Sequence, residues 1–100
     1  MSLESVTEQI RQKLQRAANI KARVKFDFGE DGIVFVDSNQ DPPLISHEDA
    51  ESDAILICSI ATFQGFMDGT QDPTVAFMMG KLKVHGSVGL AMKLNAILEN

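Results

Sequence analysis

Tryptophan and tyrosine are both missing from this 100-residue chain, and only one cysteine, two histidines and three prolines occur. Without tyrosine there is no phenol to act as acid, base or nucleophile. With Cys58 alone there is neither an internal disulfide nor a second thiol for a zinc or redox pair. Cys58 also lies in the apolar stretch Ala54-Ile-Leu-Ile-Cys58, where burial makes a thiol a poor nucleophile. No apolar run exceeds five residues, far short of the ~18 that a membrane span needs. The first residues, Met-Ser-Leu-Glu-Ser, turn polar at once, unlike a secretory leader. No G-x-G-x-x-G and no P-loop is present. Lysine and arginine are absent from residues 27–72, which hold eight Asp and three Glu. These absences lead us to expect a cytoplasmic, metal-free and cofactor-free single domain over 1–100.

What is present is ordinary in proportion: 44% hydrophobic residues, 23% charged, and a net charge of −5. The charge is unevenly spread. Residues 1–26 sum to +4, residues 27–72 to −11, and residues 73–100 to +2. Nucleic acid is not an expected partner, because phosphate binding needs a concentrated basic surface. The acidic stretch is either a set of solvated loops or one pole of a surface that orients the domain against a membrane or protein partner.

Hydropathy periods give the elements. Leu3, Val6, Ile10, Leu14 and Ala17 step by three or four, which predicts an amphipathic helix ending near Asn19. Ser5 and Glu8 have capping-box spacing, and Ser2 is an alternative cap. The period then drops to two. Ala22, Val24, Phe26 and Phe28 alternate with Lys21, Arg23, Lys25 and Asp27, a strand with one apolar face. Gly29-Glu-Asp-Gly32 is a turn signal, and Ile33–Val36 returns as a central strand, apolar on both faces. Asp37–Pro43 is a loop, Ile45 starts a short strand, and Ala54–Ser59 is another. Helices follow from Ile60 to Gly69 and from Asp72-Pro73 to Gly80, the second with Asp as cap and proline in the first turn. Leu82 and Val84 lie on a last strand that Gly86 ends, and Ser87 caps a final helix with the stripe Leu90, Leu94, Ile97 and Leu98. The strands with one charged face suit a two-layer α+β architecture with helices on one side only.

Little in this inventory supports catalysis. His47 stands among Glu48, Asp49, Glu51 and Asp53, but the run has neither a zinc helix's histidine pair nor a calcium loop's glycine pattern. It reads as a solvated acidic loop, and His85 as a surface residue beside Lys81 and Lys83. The unusual feature is apolar: Phe63, Phe66, Met67, Phe77, Met78 and Met79 within seventeen residues. Flexible methionines suit ligands of variable shape, yet phenylalanine and methionine at helical spacing equally describe a packed core. From the residues alone both readings stand.

The stretch Asp72-Pro73-x-x-Ala76-Phe77-Met78-x-Gly80-Lys81-Leu82-Lys83-Val84-x-Gly86, followed by Leu90-Ala91-x-Lys93-Leu94, resembles the C-terminal signature of the sterol carrier protein 2 (SCP-2) family of lipid-transfer domains. Asp53, Ala54, Phe63 and Gly69 sit where that family's middle section would place them. The resemblance implies an SCP2-like α+β fold, a five-stranded, mostly antiparallel sheet covered on one face by helices. It also implies an apolar tunnel between the layers, with the final helix as a partial lid. The tunnel is then expected to be lined by Phe26, Phe28, Phe35, Phe63, Phe66, Met67, Phe77, Met78, Leu82, Val84, Leu90 and Leu94. The implied activity is non-enzymatic: shielding a fatty acid, fatty acyl-CoA, sterol-like or isoprenoid chain. Lys81, Lys83 and Lys93 are either solvated or meet an anionic head or membrane lipid. The alternative is an accessory interaction domain that presents a quinone-type intermediate to partner enzymes. Ser87 stands where the family often has Asp, which leaves the helix cap intact. The final residues Leu98-Glu99-Asn100 are not a peroxisomal address, and a short, free-standing bacterial form is expected.

Overall fold

The first helix, α1 (Leu3–Arg16), forms where the 3.6-residue stripe lies, and it buries Val6, Ile10 and Leu14 against the sheet. The computed structural model describes residues 2–16, 21–40 and 43–98. Ala17, Asn19 and Pro42 therefore lie outside the described residues, as do the side chains of Ile97 and Leu98. Capping falls to Ser2. Its Oγ accepts from the Ser5 amide and the Ser5 Oγ accepts from the Ser2 amide, both at 3.1 Å. The Ser5–Glu8 box does not form, because the helix starts at Leu3 and Ser5 is already its third residue. Glu8 pairs with Arg11 instead.

Five strands, β1 (Arg23–Asp27), β2 (Ile33–Asp37), β3 (Leu44–Ser46), β4 (Ala54–Ile57) and β5 (Lys83–Gly86), form one mixed sheet in the order β3-β2-β1-β4-β5. Only the β1–β4 pairing among these is parallel. The sheet is thus mostly antiparallel and α+β, as expected. Helices α2 (Ile60–Asp68) and α4 (Val88–Leu98) join α1 on one face, and α3 (Pro73–Met78) precedes β5. Register aligns Val34, Phe26, Leu56 and Val84 in a row across β2, β1, β4 and β5, all pointing to the helices. Val84, on the edge strand, ends the row and is only half-buried.

Because β3 and β4 both run parallel to β1, the connection 47–53 has to cross β2 and β1. It crosses on the face away from the helices, where Asp49 forms an ion pair with Lys25. That strap covers the face expected to be wholly wet, and Lys25 is left only 13% exposed. It also explains Phe35, which alternates to this face and pairs with Lys25 and Ser46. Phe35 is buried but stands apart from the core of Val34 and Val36.

The end of α3 decides where β5 starts. Gly80 is left-handed at φ 77°, and the Ala76 carbonyl accepts from the Lys81 amide at 2.8 Å while that of Phe77 accepts from Gly80 at 3.2 Å. This Schellman closure turns the chain straight from α3 into β5. Ser87 then caps α4, its Oγ accepting from the Leu90 amide at 3.2 Å.

Candidate functional site

α3 starts at Asp72, whose carboxylate accepts from the amides of Thr74 at 2.8 Å and Val75 at 3.4 Å, with Pro73 in the first turn. The helix is six residues long and is anchored to the body through Pro73 and Ala76, both buried. Its remaining side chains are exposed, and apart from Thr74 they are apolar: Val75, Phe77 and Met78, followed by the exposed capping Met79. α4 is apolar on two sides. Ala91 and Leu94 face the core, while Val88 and Met92, one helical turn apart, face outward.

Between the two helices lies a groove of about 220 Å³, floored by Leu82 and Val84 at β5. Pro73, Thr74 and Phe77 form the α3 wall, and Val88, Ala91 and Met92 form the α4 wall. The Thr74 hydroxyl is the single side-chain polar group among these eight residues, and none of them carries an ionisable group. Such a site holds its contents by excluding water from apolar surface.

Three of the twelve expected lining residues, Phe77, Leu82 and Val84, meet here. Phe26, Phe28, Phe63, Phe66, Met67 and Leu94 do not line the groove; they belong to the packed interior. Phe63 is its hub, with ring centroids 5.2 Å from Phe26, 5.3 Å from Phe28 and 6.2 Å from Phe66, all edge-to-face. These rings pack against one another in the core and stand apart from the groove. Phe35 lies on the opposite face of the sheet, for the reason given above. Met78 is 79% exposed and outside the groove, because it lies one residue round α3 from Phe77. Leu90 packs half-buried against the core instead. Pro73, Thr74, Val88, Ala91 and Met92 were not anticipated. The Val88, Ala91, Met92 spacing of i, i+3, i+4 was a legible signal of a second apolar face on α4.

The chemistry elsewhere is structural. Burial pushes the Cys58 thiol up to about 12 from 9.0, so the thiolate is scarce at neutral pH. The Asp37 carboxyl is held below its usual value, first by the Asn39 amide, which donates to its Oδ1 at 3.0 Å. His47 Nε2 meets Thr7 Oγ1 at 3.1 Å beside α1. Among the described residues no three or more His, Cys, Asp or Glu side chains group as a metal set. No helix among them is long and apolar enough to cross a membrane.

Comparison with known proteins matches residues 3–99 to the model of the SCP-2 sterol transfer family. Hydroxysteroid dehydrogenase-like protein 2 of Mus musculus is 37% identical over 73 residues, 70% of this chain but 15% of that protein. The chain therefore spans well under a fifth of such curated relatives. Among solved structures, sterol carrier protein 2 from Yarrowia lipolytica, apo form, superposes with a TM-score of 0.68 at 25% identity, covering 94% of this chain and 77% of that one. The UbiJ-SCP2 ubiquinone synthesis protein superposes with a TM-score of 0.68 at 14% identity, covering 95% and 90%, a likeness of fold alone.

Proposed function

The chain belongs to the SCP-2 sterol transfer family, and from that premise we propose that it is a non-enzymatic carrier that shields a hydrophobic chain in the groove between α3, β5 and α4. Membership brings lipid binding and transfer as the class of activity. The cargo class, a fatty acid, fatty acyl-CoA, sterol-like or isoprenoid lipid, and its seat are our reading. The observation that carries it is the groove's lining, which offers apolar walls and one hydroxyl to whatever enters.

Each methylene buried there stabilises the complex by about 0.8 kcal/mol. With no ionisable group in the lining, selectivity falls to length and shape, and a polar head stays at the mouth. The groove's 220 Å³ is below the ~300–1,000 Å³ of ordinary ligand pockets. A long chain therefore enters by moving a wall. α3 is the wall to move, since only Pro73 and Ala76 of its six residues are buried. Absence of a reactive thiol at Cys58 and of charged lining side chains supports a carrier over an enzyme.

A second reading, an accessory domain presenting a quinone-type intermediate to partner enzymes, draws support from the likeness in fold to the UbiJ-SCP2 ubiquinone synthesis protein. Native mass spectrometry of freshly purified protein, with solvent extraction of what it carries, tests both. An adduct extracting as fatty acid or phospholipid supports the carrier, and one extracting as a quinone precursor supports the second reading. A clean apo mass with no shift after incubation with a fluorescent fatty acid overturns the groove as a cargo site.

A further inference from the structure

The described residues include four methionines, and these stand in three different settings. Met67 is 3% exposed and packs into the core from α2. Met78 and Met79 are exposed at the end of α3, outside the groove. Met92 alone of the four is both exposed, at 66%, and part of the groove wall. A peroxide oxidises a thioether to a sulfoxide, which turns a flexible apolar side chain into a polar one. The other seven lining residues contain no sulfur. Nor does the thiol compete. Cys58 is buried and its pKa is pushed up to about 12, so it offers little thiolate for a peroxide to attack.

The surroundings of Met92 decide what a sulfoxide does there. Its neighbours on the α4 wall, Val88 and Ala91, are apolar, and the lining's single side-chain hydroxyl, Thr74, belongs to the α3 wall. On its own wall a sulfoxide oxygen meets no side-chain donor and keeps its water. A hydrocarbon chain laid over it would strip that water without replacing the hydrogen bonds, which costs free energy. The exclusion runs both ways: a chain that covers Met92 also keeps peroxide from its sulfur.

We propose that Met92 is a modification site, at which oxidation of the thioether by hydrogen peroxide lowers the groove's affinity for an apolar chain and against which a bound chain protects. This rests on the groove being the cargo site. In the step, a sulfur lone pair attacks one peroxide oxygen, and the S–O bond forms as the O–O bond breaks. The sulfur is oxidised and the peroxide reduced. The proton on the transferred oxygen goes to the departing hydroxide, which leaves as water. Methionine sulfoxide reductases reverse the change with a dithiol, which closes to a disulfide as the oxygen departs as water. An empty groove is thus open to the modification and a loaded one is not, while Met78 and Met79 react in either state because they lie outside it.

The test treats the full chain with hydrogen peroxide and reads the product by peptide mass and by titration with a fluorescent fatty acid. Trypsin leaves Met92 as the single methionine of Val84–Lys93, and Met67, Met78 and Met79 together in Phe26–Lys81, so the two sets are read separately. The oxidised protein should bind about ten-fold more weakly, with its melting midpoint unchanged. Methionine sulfoxide reductases with dithiothreitol should restore the affinity. Fatty acid at ~10 times its Kd should slow oxidation of Val84–Lys93 about ten-fold by mass action, and leave Met78 and Met79 as reactive as before. Met92→Leu, whatever affinity it starts from, should keep it through peroxide treatment. Met78→Leu with Met79→Leu should lose affinity on treatment as the wild type does. The proposal is overturned if Met92→Leu loses affinity on oxidation, or if wild type fully oxidised at Met92 binds unchanged. It is also overturned if fatty acid binds without slowing oxidation of Met92, or if the melting midpoint falls with the affinity, which would put the damage in the core at Met67. A wild type that binds no fatty acid before treatment removes the carrier reading, and this one with it.

Discussion

Truncating Phe77 to alanine separates the groove from the interior, and the structure sets the size of the effect. A buried phenylalanine removes ~150–250 Å² from water. Phe77 is 52% exposed, so about half of that, ~100 Å², remains for a bound chain to cover. At ~25 cal/mol per Å² that contact contributes about 2.5 kcal/mol, of which alanine retains a part. The expected loss is a ten- to thirty-fold rise in Kd, or ~1.4–2 kcal/mol, with a modest fall in stability. Phe63→Ala should behave in the opposite way. Phe63 is 0% exposed and its ring is the hub of three edge-to-face contacts. Its truncation should cost ~3–5 kcal/mol of stability, a large share of a domain's total, while the folded fraction binds as before. A fluorescent fatty-acid titration reads affinity with little protein background, because the chain has no tryptophan or tyrosine. Urea unfolding followed by circular dichroism reads stability. Unchanged affinity in Phe77→Ala refutes the groove as the cargo site. If folded Phe63→Ala loses affinity instead, the chain goes between the layers.

Two further predictions concern the frame that holds the groove. Gly86 ends β5 at φ 83°, and a Cβ there would stand 2.4 Å from the Asp53 carbonyl oxygen. Gly86→Ala should therefore cost clearly more than the ~1–2 kcal/mol of left-handed strain alone. Gly29→Ala, at φ 65° with nothing within 4 Å, should cost only that strain; equal shifts in urea midpoint would refute the steric account. Cys58 makes stability fall in alkali. Its folded pKa is raised from 9.0 to about 12, so the fold favours the neutral thiol. The stabilisation is complete below pH 9 and declines as pH rises toward 12, by roughly 4 kcal/mol at the limit. Cys58→Ala should flatten the alkaline limb of a stability–pH curve, and an unaltered limb would assign it to other groups.

Much of the fold was legible because its signals are local. The switch from a 3.6-residue to a two-residue period at Ala22, the Asp72-Pro73 cap and the turn-forming glycines mark the elements within a few residues. Phe35 shows where locality ends. Ile33–Val36 is apolar on both faces, and the run alone does not say that one face meets helices and the other a strap carrying Asp49. The site was harder still. Phe63 and Phe77 are the same residue type at similar helical spacing, yet one is the hub of the interior and the other half-exposed. What separates them is what packs opposite each helix: α2 buries Ile60, Phe63, Phe66 and Met67, whereas α3 buries only Pro73 and Ala76.

By itself the sequence determined the order of elements, the two-layer class and the family, since periodicity, caps and the Asp72–Gly86 signature are properties of neighbouring residues. It also determined that Lys81, Lys83 and Lys93 stand apart from the carboxylates of 27–72. Only the tertiary structure decided which apolar side chains are core and which line a cavity. Burial depends on what packs opposite a residue, and Val88, Ala91 and Met92 face Phe77 only because Gly80 turns α3 into β5 and Gly86 lets α4 begin beside it.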